Sequence, residues 1–480
     1  MQNSRHQLKK YWSIFVILTL TPFLLWVTTL ILPTFDDWTS TTHPDFNPFF
    51  IKERFLFYGY HWRPFDTFVG YIVGQNPQLL YPTFNHCLIV VGHVVCAIFV
   101  YQLLNTLRFS LLAKNIATLY FFIVPATMAT VTAIDSMNQV YSLLFGIISF
   151  LSYIKLNRWK YPIWITIVIV ATWWKENGLM WALITPILAY GFDYIDRPKL
   201  KKDLIVGFTI AIGYALAIIL LPKDITIHPE YVPEVSKIIK NFVKFVFTTF
   251  VTIDYIYLLH ENSRNLLIAT LSFLFTLPFI YYIYIKNIRT FINKKIVCSV
   301  LALLIAVAPH IGTVFSMMHT YAGLAMVAII IAYSIDCMKT FTWGVKTAFL
   351  LFFLTSFVVD IHLIKASISS GLVGKKMAVE AIHKTDKEVK SVFLIIIEDD
   401  YTKLSSFCVI PYEAFGWGLA SKYETNYKWP EQIQDTIIER KADSMKKAYQ
   451  IANTYLNKYD CIWIVNHNEI KVLKKGYEER

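Results

Sequence analysis

Asp36 and Asp37 stand together just beyond the first long apolar run, in the segment LPTFDDWTSTTHPDFNPFF. A carboxylate between apolar walls and a polar interface gains basicity, which suits a general base. Two adjacent aspartates can equally serve to cap a following helix. His61-Trp62-Arg63-Pro64 follows in the same segment. An arginine beside an aromatic ring can clamp a phosphate with its planar fork, or snorkel and hold the segment down. His93 falls inside the second apolar run, where a polar ring is costly and marks either a function or a helix–helix hydrogen bond. Asp135, Asn138 and Gln139 cluster at one end of the third run. Trp173-Trp174-Lys175-Glu176-Asn177 interrupts two others, as a self-neutralising pair or as the lining of a polar cavity. His310 and His319 flank a short turn before Tyr321.

These groups are set in a chain that cannot cover itself with charge. Of 480 residues, 56% are hydrophobic and only 16% charged, against about 25% charged in soluble proteins. That excludes a disordered, collagenous or small disulfide-framed protein and leaves a polytopic membrane protein. The aromatic content of 16% fits, because Trp and Tyr gather at membrane interfaces. Eleven runs approach the length of a span: residues 11–32, 84–104, 116–133, 140–154, 162–174, 178–192, 204–221, 266–285, 296–312, 321–335 and 347–362. The first has no small-residue cleavage site after it and reads as a retained span rather than a signal peptide.

The net charge of +12 is a matter of topology rather than of nucleic-acid binding. The N-terminus and the alternate loops 105–115, 155–161, 193–203, 286–295 and 336–346 together hold 18 Lys and Arg, while the short opposite loops 134–139 and 313–320 hold none. The positive-inside rule then places the N-terminus in the cytoplasm. Segments 33–83 and 222–265 and the tail face outward. Phe242–Leu259 is apolar enough to span, but counting it would put the basic 286–295 loop outside. It reads instead as an amphipathic helix lying on or dipping into the membrane.

The chain divides into a membrane domain, 1–362, and a tail, 363–480. The tail has 18 basic and 16 acidic residues. Its patterning predicts an amphipathic helix over 377–390, a short apolar run at 391–397, a helix over 439–457 and strands at 461–465 and 469–473, hence a small α/β domain. Cys408 and Cys461 could pair in an oxidising compartment or remain strand-buried thiols; Cys87, Cys96 and Cys298 lie in apolar runs.

The order of the polar motifs resembles the multispanning lipid-sugar glycosyltransferases of the GT-C class, with closest feel to bacterial relatives of the tetratricopeptide-containing transmembrane O-mannosyltransferases. The residues that carry it are Asp36-Asp37-Trp38, Trp62-Arg63-Pro64, His93, Pro125, the polar residues before span four and Trp174-Lys175-Glu176-Asn177, from about Pro33 to Ala189, with an echo at His319–Tyr321. Val124-Pro125 replaces a His-Pro step, Asn138-Gln139 a Gly-Arg step, Trp174 a Ser, and His319 an Arg; no tetratricopeptide repeats are present.

The apolar runs and the patterning of the tail predict an all-α polytopic membrane protein of about eleven transmembrane helices with a small C-terminal α/β domain, and the resemblance implies that its membrane part is GT-C-like. It implies an integral-membrane enzyme of the plasma membrane, its C-terminal domain extracytoplasmic. The enzyme would move a sugar from a polyprenyl-phosphate donor to a glycan, lipid or protein acceptor, among membrane lipids and without nucleic acid. Asp36 is then the expected catalytic base, with Asp37 beside it, and transfer inverts the anomeric centre. Arg63, Lys175, His319 and His93 fall on the phosphate side, with Tyr321 near them and Glu176 orienting Lys175. No cofactor is expected, and a divalent metal is not required. A transporter or flippase of lipid-linked sugars and a non-catalytic scaffold of the same fold are the alternatives.

Overall fold

The computed structural model describes residues 10–31, 63–65, 68–69, 83–133, 136–220, 234–250, 263–286, 293–312, 317–338, 340–385, 389, 391–397, 438–466 and 469–474. Asp36, Asp37, Asp135 and Cys408 lie outside them.

The membrane domain is a helical bundle. In chain order its helices are α1 (Trp12–Thr28), α2 (Thr83–Thr106), α3 (Leu111–Ile123), α4 (Pro125–Val131), α5 (Met137–Lys155), α6 (Lys160–Trp174), α7 (Trp181–Gly191), α8 (Arg197–Leu220), α9 (Val235–Phe250), α10 (Ser263–Ile280), α11 (Lys294–Ile311), α12 (Tyr321–Asp336) and α13 (Trp343–Lys384). A 3-10 turn, Glu176–Met180, leads into α7, and a second, Met317–Thr320, leads into α12; a π turn, Tyr281–Ile285, extends α10. Among the described residues, five helical stretches are long and apolar enough to cross a membrane: Thr83–Thr106, Met137–Lys155, Lys294–Ile311, Met317–Asp336 and Trp343–Ser369. Shorter apolar helices cover Trp12–Thr28, Leu111–Ile123 and Thr270–Ile285.

Burial sorts the helices. In α12 every side chain from Tyr321 to Ala332 is buried, so this helix is the axis of the bundle. Helices that are apolar all round must be buried or face lipid. Phe15, Trp26, Ile205, Phe208, Leu350 and Val358 are the second kind, large and exposed on the outside of the bundle.

The third apolar run is broken rather than continuous. Pro125 is the first residue of α4, and Val124 before it is extended (φ −67°, ψ 133°), as the residue before proline prefers. Ser110 opens α3, its hydroxyl accepting from the Ala113 amide (3.3 Å). Asn293 opens α11 by accepting from Lys295 and Ile296.

Contacts tie the basic loops to one end of the bundle. Asn115 accepts from the Ser13 amide and hydroxyl, and Tyr101 donates to the Lys10 carbonyl. Asp336 accepts from the Ser110 amide, Lys294 pairs with Asp193 at 2.7 Å, and Tyr153 and Tyr161 both donate to Asp203. The opposite end gathers the candidate residues. Helix α9 enters the bundle from there: Asn241 donates to the Ile311 carbonyl (2.8 Å), and further along Tyr120 donates to the Thr249 carbonyl (2.8 Å).

Helix α13 has 42 residues, about 63 Å at 1.5 Å per residue, twice the thickness of a hydrocarbon core. It runs without a break past residue 362 and carries the tail sheet on its end. There Trp463 donates to the Thr385 hydroxyl (3.0 Å), and Lys384 donates to the Ile470 carbonyl (3.3 Å).

That sheet has the order β2-β1-β3-β4, from β1 (Val392–Ile397), β2 (Ile438–Ala442), β3 (Cys461–Asn466) and β4 (Glu469–Lys474). β1 pairs in parallel with β2 and β3; β3 and β4 are antiparallel. Helix α14 (Met445–Tyr455) covers one face, with Tyr455 stacked on Phe393. The helix expected over 439–457 is corrected at its start: 438–442 is strand, and the helix begins after Ser444, whose hydroxyl accepts from the Lys447 amide. Cys461 is buried in β3 and forms no disulfide among the described residues.

Candidate functional site

The site is built around the sharp connection between α6 and α7. Lys175 is extended (φ −159°, ψ 145°), so its side chain and that of Glu176 leave the chain on opposite sides. The five-residue 3-10 turn then leads into α7. Gly178 makes this possible: its amide donates to the Lys175 carbonyl (2.9 Å), and a Cβ there would lie 2.4 Å from the Ala171 carbonyl oxygen.

Glu176 meets Arg63 across 113 residues of sequence. Arg63 Nε donates to Oε1 and Nη2 to Oε2, both at 2.8 Å, a two-pronged fork with side chains 17% and 31% exposed. This fork geometry fixes the plane of the guanidinium as well as its position. Glu176, expected to orient Lys175, forms this fork with Arg63.

Lys175 goes the other way, into the bundle. It is 5% exposed, and its Nζ donates to Asn138 Oδ1 (3.2 Å). A buried ammonium is tolerated only with polar partners. A polar lattice continues beside it: Asn177 Nδ2 donates to Gln139 Oε1 (2.9 Å), and Ser142 Oγ donates to Asn177 Oδ1 (2.9 Å). The three residues Asn138, Gln139 and Ser142 lie on the first turns of α5, so that one helix supports both sides of the turn.

Aromatic rings hold the Arg63 segment against this turn. Phe65 stacks on Trp174 at 5.7 Å and tilts against Trp173 at 5.7 Å. Trp174 also stacks on Tyr141 at 4.6 Å, and the Tyr141 hydroxyl donates to the Leu88 carbonyl, which joins α2 to the assembly.

His310 and His319 complete the cluster. Their rings lie face to face, 4.2 Å apart and 2° from parallel. Lys175, Glu176 and Arg63 act electrostatically on His310, and Lys175 and Arg63 on His319. Tyr214 of α8 is within reach of Glu176 and Arg63.

His93 and Tyr321 lie deeper, both fully buried. His93 Nε2 meets the Phe122 carbonyl at 3.1 Å, and Nδ1 meets the Tyr321 hydroxyl at 2.9 Å. A carbonyl can only accept, so Nε2 carries the hydrogen and Nδ1 accepts from Tyr321. The Phe122 carbonyl sits at the end of α3, where the break at Val124-Pro125 interrupts the helical ladder. His93 therefore caps a broken helix and ties it to the start of α12.

The structure thus brings together Arg63, Lys175, Glu176 and His319, and places His93 and Tyr321 beneath them as supports; Asp36 and Asp37 lie outside the described residues. Sequence reasoning missed Ser142, Tyr141, Phe65 and Tyr214, and noted His310 only as flanking the turn. Ser142 and Tyr141 give no signal in a one-dimensional pattern. No group of three or more His, Cys, Asp or Glu able to hold a metal occurs among the described residues.

No protein-family model matches the sequence, and no curated protein matches it. Among solved structures, the chain is similar to the archaeal oligosaccharyltransferase AglB from Archaeoglobus fulgidus, in complex with an inhibitory peptide and a dolichol-phosphate. The identity is 14%, the TM-score 0.41, and the match covers 95% of this chain and 70% of that one. At that score the likeness carries no argument about activity.

Proposed function

We propose that this protein is an integral-membrane glycosyltransferase of GT-C type. It takes a sugar from a polyprenyl-phosphate carrier and passes it to an acceptor at the outer face of the plasma membrane. The observation that carries this reading is the placing of two cations, Arg63 forked to Glu176 and the buried Lys175 on Asn138, on either side of one turn at the end of the bundle opposite the basic loops. Two cations withdrawn from water at a membrane boundary are what a lipid-borne phosphate requires. The order of motifs along the chain supports the same reading.

The chemistry assigns the remaining roles. The acceptor hydroxyl attacks the anomeric carbon and gives its proton to Asp36. The bond from that carbon to the phosphate oxygen breaks, and the electron pair stays on the phosphate. Its growing charge is met by the Arg63 guanidinium and the Lys175 ammonium, held in place before the reaction, which is where such stabilisation is most effective. Glu176 fixes the plane of Arg63. His93 and Tyr321 act as positioning residues beneath the cluster. Attack opposite the leaving group inverts the centre. A single phosphate does not require a divalent metal. The tail, carried on α13 at the same end, shapes access of the acceptor.

The test is sugar release from a labelled polyprenyl-phosphate donor by purified protein, with donor binding measured separately. Asp36→Asn should lose about 10²–10⁴-fold in turnover while donor binding survives, and Asp37→Asn should be milder. Loss confined to Asp37→Asn would move the base by one residue. Passage of intact donor across a vesicle without sugar release would replace the enzyme by a transporter.

A further inference from the structure

The stacked pair His310 and His319 has a feature that the proposed transfer does not use. His310 Nε2 is shut off from solvent and has no hydrogen-bond partner among the described residues. It lies at the end of α11, directly after Pro309, which leaves this last turn less tightly bound to its helix. The ring beneath it, His319, belongs to the 3-10 turn before α12. Two imidazoles face to face at 4.2 Å take up at most one proton beyond their neutral forms when a guanidinium and an ammonium stand nearby, because two stacked imidazolium charges would repel each other and both cations. An anion beside the pair reverses that balance.

The charged groups around the pair come from every side. Arg63 and Lys175 act on both rings, and Glu176 on His310. Helix α9, packed on the same end of α11 through Asn241, carries Lys237, Lys240 and Lys244 after Glu234, with Lys237 paired to Glu234 at 2.9 Å. Tyr214 of α8 lies by Arg63 and Glu176. Among these groups, cations predominate over acids.

We propose that His310 and His319 form a proton-accepting subsite for a phosphate monoester: the anion approaches His310 Nε2, and one proton from solvent is taken up on the stacked pair as it binds. The ligand class is a prenyl phosphate, the form of the carrier left after sugar transfer. This rests on the glycosyltransferase reading. A sugar-bearing phosphodiester has one negative charge, whereas the released monoester has close to two near neutral pH. The subsite therefore favours the released product over the sugar-bearing donor. No bond is made to either histidine; the only transfer is of a proton.

The experiment uses the purified full-length protein in detergent and farnesyl phosphate as probe. Binding heats are compared at pH 7 in two buffers of different ionisation enthalpy, so that proton uptake is read directly. The wild type should take up on the order of one proton per ligand. His310→Gln keeps the shape and one polar end of the ring; it should bind roughly tenfold more weakly, with uptake abolished. His319→Gln should reduce uptake while keeping more of the affinity. Binding of farnesyl phosphate without proton exchange in the wild type overturns this inference and leaves the glycosyltransferase reading intact. Absence of any binding overturns both. Equal affinity for inorganic phosphate overturns the assignment to a lipid ligand. The wild-type measurement decides the matter even where a variant fails to fold.

Discussion

The Arg63–Glu176 fork offers the most direct measurement of how this site is held. Both hydrogen bonds are 2.8 Å long, and the side chains are 17% and 31% exposed. A hydrogen bond to a charged group contributes about 1.5–3 kcal/mol. Fully exposed ion pairs contribute about 0–1 kcal/mol, while breaking a buried pair costs about 3–5 kcal/mol. A partly buried, two-pronged pair lies between, so the coupling energy should be about 2 kcal/mol. The variants are Arg63→Gln, Glu176→Gln and the double substitution, compared by reversible unfolding in detergent. A double-mutant cycle removes effects that each side chain has on its own. Arg63→Lys adds a check, since an ammonium keeps the charge but replaces the fork with one prong; about half the coupling should go, and donor affinity should fall with it. A coupling below about 0.5 kcal/mol would refute the reasoning, because the pair would then behave as an ordinary surface contact. Unchanged donor affinity in both Arg63 variants would leave Arg63 an anchor of its segment only.

Gly178→Ala should cost about 1–3 kcal/mol and weaken donor binding, because the new Cβ meets backbone atoms of Ala171 that cannot move aside. Gly213→Ala, with nothing within 4 Å, is the control and should be neutral or slightly stabilising in the same unfolding assay. His93→Ala should destabilise by about 2–4 kcal/mol by removing the ring that ties the Phe122 carbonyl to the Tyr321 hydroxyl and leaving a buried cavity in its place, with His93→Gln recovering part; equal stability of all three proteins would remove the capping role. For topology, a thiol at Ser405→Cys should react with an impermeant reagent on intact cells and one at Thr290→Cys should not. The reverse pattern inverts the orientation.

The sequence by itself determined where helices form and which end of each carries charge. The eleven apolar runs fall on helices because the cost of exposing backbone polar groups in hydrocarbon acts on each segment separately. It did not mark the break at Pro125: residues 116–133 read as one apolar run, and the proline's missing donor divides it into two helices. It showed β3 and β4 as strands, and β1 as a short apolar run, because these patterns are local signals. It did not give β2: Glu439, Arg440 and Lys441 read as a polar helix, and only their pairing with β1 at the edge of the sheet makes them a strand. Nor did it show that α13 continues to Lys384, because the polar second half of that helix is held by the sheet it carries.

Within the site, the residue types were legible and the partners were not. Arg63, Lys175 and His319 were recognisable because charged or titratable groups at membrane boundaries are costly and few. That Glu176 grips Arg63 follows from how the Arg63 segment is held against the turn after α6. That His310 lies flat on His319 follows from how α11 and the turn before α12 come together. Local transfer energies fix the helices; contacts across 113 residues depend on how the helices cross, and only the packed bundle decides that.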